Sequence, residues 1–333
     1  MKYYIIANTR DQFCNEYESS SKHYNDHPSR ESIDFITSEL NKIGYDVEFY
    51  GGVEKLVKAY DSEAKFRDTL FLNFSDGLSQ KSRKAQSAII LELLNASYAG
   101  SDPLSLLIAG NKSYTKKLVS EYLNVARGQT IFSKTNLPID LTFPVVLKPN
   151  KEGSSLGISQ ESICRTEEDM IRILPNLLSR FHEIIIEEYI EGYEINCFII
   201  GNKGEYLLVE PIICEYGGVK FFKRFVFGVE EKANRRRKEY LARNFLNDDE
   251  LQSIRNATQT AFELLGMQDY ARADFRLQKN GRLVFLEING NPVISETSEI
   301  GVISKELGIS FGKIVEKIII TATNRLMNQT NHE

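Results

Sequence analysis

The chain alternates short apolar runs with amphipathic stretches. Tyr3–Ala7 is apolar throughout and predicts a buried strand, and the polar, irregular segment 10–28 after it predicts a loop. From Ser29 the period changes. Ile33, Phe35, Ile36, Leu40 and Ile43 recur at helical spacing behind a Ser29 cap, and Gly44 ends the helix before a strand over Tyr45–Tyr50. The pattern repeats with a strand at Thr69–Phe74, a helix at Lys84–Leu94, a short strand at Ser97–Ala99 and a helix at Ser113–Leu123. Alternating strands and helices predict an open parallel sheet in the first hundred residues.

Beyond residue 140 the pattern changes to strands joined by turns. Strands are expected at Pro144–Lys148 and Glu183–Tyr189, with a helix over Glu167–Leu178 between them. A strand–turn–strand unit runs from Glu194 to Pro211 around Gly201–Gly204. Residues 214–240 mix glycines, aromatics and bases. They read either as a mobile loop over something anionic, with Lys220, Lys223 and Arg224 facing it, or as a solvated charged segment. A helix at Leu251–Leu265, strands at Asp269–Leu277 and Leu283–Ile288 across the Lys279-Asn280-Gly281 turn, and a helix at Ser310–Arg325 complete the reading.

Composition narrows the class. The 333 residues suffice for two or three compact units with real cores. A net charge of −5 argues against a protein that coats nucleic acid, which needs a broad basic surface, but not against a local cationic pocket. Cys14, Cys164, Cys197 and Cys214 show no disulfide or zinc spacing. Neither a secretory leader nor a membrane span is expected, so the setting read from the sequence is cytoplasmic.

Three constellations carry chemistry. Lys148-Pro149 leads into Glu152-Gly153-Ser154-Ser155-Leu156-Gly157, where an ammonium and backbone N–H groups can meet a polyphosphate; glycines there also serve ordinary turns. Glu187-Glu188-Tyr189-Ile190 followed by Glu194 can present backbone to an adenine edge and a carboxylate to a ribose, or be a charged strand end. The third is the most specific. Arg272 and Asp274 share one face of a strand, and Glu287 and Asn289 share one face of the next across the hairpin. Asp, Glu and Asn oxygens suit Mg²⁺ held with phosphates, and an arginine beside them suits a developing oxyanion; the competing reading is a surface ion-pair ladder.

In this order the three pieces resemble the D-alanine–D-alanine ligase-like branch of the ATP-grasp enzymes. The resemblance is carried by 143–159 (FPVVLKPNKEGSSLGIS), 186–202, YARADFRL at 270–277, LEINGNP at 286–292, 297–319 and 91–118. It implies an α/β (α+β) chain: an N-terminal open parallel-sheet domain over 1–108, then two ATP-grasp subdomains over 109–190 and 191–330. It also implies ATP with Mg²⁺ or Mn²⁺, and an ADP-forming ligase that makes an amide through an acyl phosphate. Lys112 and Lys148 match the phosphate lysines, and Ser154 and Ser155 match the loop that closes on the phosphates. Glu187, Glu188 and Ile190 match the adenine-side hinge, and Glu194 the ribose carboxylate. Asp274, Glu287 and Asn289 match the metal ligands. Arg272, with Ser155, is the catalytic match, and Ser298 matches the serine that holds the second substrate's carboxylate.

The resemblance also has departures. Asp76 stands where the family has a first-substrate histidine, with Lys81 near its usual acid. The glutamate for the first substrate's amine has no match around Asn25–Ser29, and Pro292-Val293 replaces proline-glycine. The expected substrate is therefore an amino acid or similar small carboxylate with an amine acceptor. The alternatives are a true D-alanine–D-alanine ligase, ligation to a carrier-protein thiol, and a non-catalytic ATP-binding protein. A homodimer is the expected assembly, and neither nucleic acid nor membrane is expected as a partner.

Overall fold

The computed structural model describes residues 1–12, 27–78, 82–133, 141–234 and 236–330. Cys14, Lys81 and residues 25–26 of the N-terminal loop lie outside the described residues.

The first sheet is parallel in the order β2-β1-β3-β4, from β1 (Lys2–Ile6), β2 (Val47–Gly51), β3 (Thr69–Asn73) and β4 (Tyr98–Ala99). Its strands are buried on two faces, which is why they read as continuous apolar runs. Leu70 and Leu72 join Ile33, Ile36 and Leu40 of α1 (Arg30–Lys42) in one core. Phe71 packs on the other face, against Leu56 of α2 (Val53–Asp61) and Leu91 of α3 (Gln86–Leu93). Ser29 caps α1 as expected, its hydroxyl accepting from the Ser32 N–H at 3.1 Å. In this first unit two helices escaped the sequence reading. They are α2 and α4 (Pro103–Ala109); α4 is capped by Asp102 with proline at its first position. α5 (Lys112–Val119) follows.

The second sheet, β5-β8-β6-β7, is antiparallel and consists of β5 (Gly128–Ile131), β6 (Val145–Pro149), β7 (Ile163–Cys164) and β8 (Ile184–Glu188). α6 (Glu167–Phe181) covers it with Met170, Leu174 and Leu177.

The third sheet, β12-β10-β9-β13-β14, is also antiparallel. It comprises β9 (Gly192–Asn202), β10 (Glu205–Tyr216), β12 (Arg237–Leu241), β13 (Tyr270–Leu277) and β14 (Leu283–Asn289), with β11 (Phe221–Phe222) on β9. Strand alternation divides β13 cleanly. Ala271, Ala273, Phe275 and Leu277 pack under α8 (Asp248–Leu264), which leaves Arg272, Asp274 and Arg276 on the opposite face, toward the cleft. α9 (Glu299–Leu307) and α10 (Phe311–Thr330) return to the first sheet, where Phe311 meets Phe35 edge-on at 5.0 Å. One apolar core thus joins the first sheet to the third.

The segment 214–240 is built structure, which corrects the loop reading. It continues β10, forms β11, α7 (Val229–Ala233) and β12, and closes an aromatic cluster of Tyr216, Phe222, Phe225 and Phe227. Lys223 and Arg224 are exposed, and Lys220 pairs with Glu215 at 2.7 Å.

Candidate active site

The register of β13 and β14 makes the centre of the site. Arg272 lies opposite Asn289 and Asp274 opposite Glu287, as the i, i+2 spacing anticipates. Arg272 holds Asp274 in a fork, Nε to Oδ1 at 2.7 Å and Nη2 to Oδ2 at 2.8 Å, and its Nη1 donates to Glu299 at 2.9 Å. Asn196, facing Asp274 from β9, donates to the same Glu299 oxygen at 3.1 Å. Burial pushes Asp274 up to about 6 even with Arg272 beside it. Glu287 accepts from Lys112 Nζ at 3.0 Å. Burial opposes the Glu287 charge, yet Lys112 and Lys232 hold its carboxyl well below the usual range.

The donor set fits a hard cation. Two carboxylates and an amide oxygen project from paired strand positions, and every donor is oxygen. Among the described residues no cluster of three or more His, Cys, Asp or Glu side chains is arranged for a metal. Asp274, Glu287 and Asn289 would leave such a cation open to phosphate oxygens, as a Mg²⁺–nucleotide site does.

A slot runs from these strands to the second sheet. Lys112, Lys148, Gly153, Ser155, Glu187, Glu188, Tyr189, Ile190, Glu194 and Lys232 line it, and Ala126, Val146, Ile158, Phe227 and Leu286 form its apolar walls. Such walls suit a planar base, and the lysines at the other end suit phosphates. Ser154 and Ser155 occupy the left-handed region at φ 47° and 60°, which costs a residue with a Cβ roughly 1–2 kcal/mol each. Strain of this kind collects at ligand clamps. Sequence reasoning gave the turn chemistry to the glycines of this loop.

Two expectations need correction. Glu187, matched to the adenine-side hinge, gives its carboxylate to two lysines instead. It is buried between them, paired with Lys116 Nζ and with Lys148 Nζ at 2.6 Å. Burial works against this charge, and the two ammoniums overcome it, holding the carboxyl at about 2. Glu188 turns its carboxylate to the Thr142 N–H at 3.2 Å, so the hinge faces the slot with backbone. Asp76 is the second correction. It is buried between Arg83 (3.5 Å) and Asn291 (3.4 Å), outside the cavity walls. His27 reaches the cavity wall instead, its Nε2 2.9 Å from the Gly77 carbonyl.

Glu194 receives Arg276 Nη2 at 2.6 Å. Arg276 also donates to the Phe225 carbonyl at 3.0 Å and lies over the Tyr189 and Phe222 rings, tying hinge and aromatic cluster to β13. Lys116, Lys232 and Arg276 were all missed. Their signal was the charge itself, at positions that also read as solvated faces.

A second cavity, about 370 Å³, opens on the other side of Arg272. It shares Lys112, Glu152, Gly153, Lys232 and Glu287 with the slot, so the two are continuous. Asn289, Val293, Ser298, Glu299, Arg237 and Glu239 line its inner wall. Ser298 Oγ donates to the Ser295 carbonyl at 2.8 Å and accepts the Ser295 N–H at 3.0 Å, which fixes it at the start of α9.

The described residues contain no helix long and apolar enough to cross a membrane. Cys164, Cys197 and Cys214 are buried and unlinked.

Comparison with known proteins identifies the family. The family model "D-ala D-ala ligase C-terminus" matches residues 119–320. The D-alanine–D-alanine ligase of Aquifex aeolicus is 31% identical over 69% of this chain and 75% of its own length. That of Thermotoga petrophila is 29% identical over 86% of this chain and 90% of its own. Among solved structures, the Bacillus anthracis D-alanine–D-alanine ligase complexed with ATP superposes with a TM-score of 0.73 at 20% identity, covering 99% of this chain and 100% of that one. The VanG D-Ala:D-Ser ligase of Enterococcus faecalis gives 0.69 at 19% identity, over 96% and 99% of the two chains. A cleft of lysines, arginines and paired carboxylates lies between two antiparallel sheets, and by shared fold and sequence the chain belongs to the D-alanine–D-alanine ligase family of ATP-grasp enzymes, ATP- and Mg²⁺-dependent, ADP-forming carboxylate–amine ligases.

Proposed function

We propose that the chain activates an amino acid or similar small carboxylate in the cavity beside Arg272 and joins it to the amine of a second amino acid. The observation that carries this reading is the continuity of the slot and the cavity, with Arg272, Asp274, Glu287 and Asn289 at their junction.

In this reading Lys112, Lys148 and the Ser154–Ser155 backbone bind the phosphates. The Glu188–Ile190 backbone meets the adenine, and Glu194, set by Arg276, meets the ribose. Asp274, Glu287 and Asn289 would hold Mg²⁺, which supplies charge neutralisation between the phosphates when bound. The substrate carboxylate attacks the γ-phosphate of ATP and ADP leaves. Arg272 has donors to spare beyond those on Asp274 and Glu299, and these stabilise the acyl phosphate and then the tetrahedral oxyanion. Ser298, once its hydroxyl turns from the Ser295 carbonyl, donates to the acceptor's carboxylate, and Val293 lies in the same wall. Catalysis here is positioning and charge neutralisation.

The cavity rim bears on substrate choice. Arg10, Lys84 and Lys151 make its outer wall cationic, as suits a carboxylate-bearing substrate. The relatives' names bring D-alanine forward as the first amino acid to try. Exposed Val57, Tyr60, Ile89, Leu93 and Leu104 on α2, α3 and α4 support a homodimer. The three unlinked cysteines among the described residues and the need for ATP support a cytoplasmic setting.

The test is ADP release in ATP, Mg²⁺ and a panel of amino acids of either chirality, with amine and thiol acceptors. ADP release that depends on a carboxylate and an amine supports the reading. Tight ATP binding with no turnover on any carboxylate refutes it, and turnover with D-alanine alone makes the enzyme a D-alanine–D-alanine ligase.

A further inference from the structure

An amino acid acceptor carries an ammonium near neutral pH, and an ammonium has no lone pair with which to attack. The site therefore needs a group that takes this proton. Four carboxylates line the acceptor cavity: Glu152, Glu239, Glu287 and Glu299. Glu287 is held by Lys112 on the nucleotide side, and Glu299 is committed to Arg272 and Asn196. Glu152 sits on the strained loop at the phosphate end, its carbonyl accepting from Lys112. Glu239 is paired with Arg237, away from the phosphate end and from Arg272's fork, on β12 opposite Cys214 of β10 and on the same wall as Arg272, Val293 and Ser298.

We propose that Glu239 is the general base that takes the proton from the acceptor ammonium before it attacks the acyl phosphate, a role that rests on the ligase reading above. The transfer gives a neutral amine and a protonated Glu239. The amine lone pair then forms the C–N bond at the acyl carbon, and collapse of the tetrahedral intermediate breaks the C–O bond to phosphate. The second nitrogen proton leaves with phosphate, and Glu239 returns its proton to solvent.

The surroundings of Glu239 suit this task. Its side chain is 8% exposed. It faces Arg237 on its own strand, Cys214 on β10, Lys232 on α7, Arg272 on β13 and Glu299 on α9. Burial and the Glu299 charge push its carboxyl up to about 7, against the pull of Arg237. A base is most effective with an affinity near the working pH. Arg237 donates to Glu239 through Nη2, while its Nε is buried with no partner among the described residues. The pair thus presents a cation and a base side by side, as the carboxylate and ammonium of an α-amino acid zwitterion require.

Glu239→Gln separates the base from the rest of the site when two nucleophiles are compared. One is the panel amino acid that the wild type turns over best. The other is hydroxylamine, which is largely neutral near neutral pH and needs no base. Amide formation with the amino acid falls by about 10²–10⁴-fold, and the acid limb of the wild-type pH profile near neutrality disappears. Hydroxylamine-dependent ADP release is retained, which also shows that the variant folds and activates its carboxylate. Equal losses with both nucleophiles, or an unchanged rate and pH profile with the amino acid, overturn the proposal. A wild type that releases ADP with neither nucleophile overturns the ligase reading, and this inference with it.

Discussion

Glu187 offers the sharpest test of how the nucleotide cleft is held together. Its carboxylate is 1% exposed and is shared by Lys116 and Lys148. Glu187→Gln keeps the shape and removes the charge, leaving two buried ammoniums with no anion between them. Two routes give the cost. A carboxyl moved from 4.5 to about 2 contributes, at about 1.4 kcal/mol per tenfold in proton affinity, about 3 kcal/mol at neutral pH. Breaking a buried ion pair from one side costs about 3–5 kcal/mol. The two agree, and at about 1.4 °C per kcal/mol for 333 residues the melting temperature falls by about 4 °C or more.

The sign of the pH dependence follows from the same pair. The folded-state affinity of Glu187 for protons is depressed, so its stabilisation is complete above the unfolded value of 4.5 and is lost as pH falls toward 2. Lys116 is pushed down by burial, and removing Glu187 takes away the charge that opposes this. The variant should therefore begin to gain stability at a lower pH, above neutral, than the wild type does. Adding Lys116→Met should restore most of the loss. Thermal melts of the three proteins across pH measure all of this. A Glu187→Gln variant that melts with the wild type, or a double variant no better than the single, refutes the clamp.

Arg272→Ala should abolish turnover and leave ATP affinity near wild type, measured by ADP release and nucleotide titration, with Arg272→Lys as the folding control; normal activity would remove Arg272 from the mechanism. Arg276→Met should raise KM for ATP about tenfold, the equivalent of about 1.4 kcal/mol from one charged contact to Glu194, with a smaller change in kcat. Equal effects on the two constants would make Arg276 only a packing residue. Ser154→Gly should relieve left-handed strain and raise unfolding stability by roughly 1 kcal/mol in urea melts. A destabilised variant would mean that the serine side chain is needed to hold the loop.

Some of this was legible in the sequence because local pattern and long-range pairing agree. On β13, Ala271, Ala273, Phe275 and Leu277 alternate with Arg272, Asp274 and Arg276, so the cleft face follows from the period of a strand. The turn at Lys279–Gly281 then sets the register that places Glu287 opposite Asp274. The N-cap Ser29 and the first parallel strands were readable for similar local reasons.

What could not be read depends on partners distant in sequence. Lys116 lies one turn after Lys112 and reads as a solvated helix face until Glu187, on another sheet, buries against it. Glu187 itself sits in an apolar strand, and only the fold shows which face its carboxylate takes. The aromatics at 216, 222, 225 and 227 follow neither the strand nor the helix period, so a packed cluster looked like a loop. α4 is different: Asp102-Pro103 is a start signal that sequence rules contain, and it was overlooked beside the glycine at 100.

The central claim is that a substrate carboxylate attacks the γ-phosphate of ATP at the Arg272 junction. Following ¹⁸O from a labelled amino acid carboxylate tests it most directly. The account predicts one ¹⁸O in the inorganic phosphate released with each amide formed. Phosphate that carries no label would contradict it, because no acyl phosphate would then have formed.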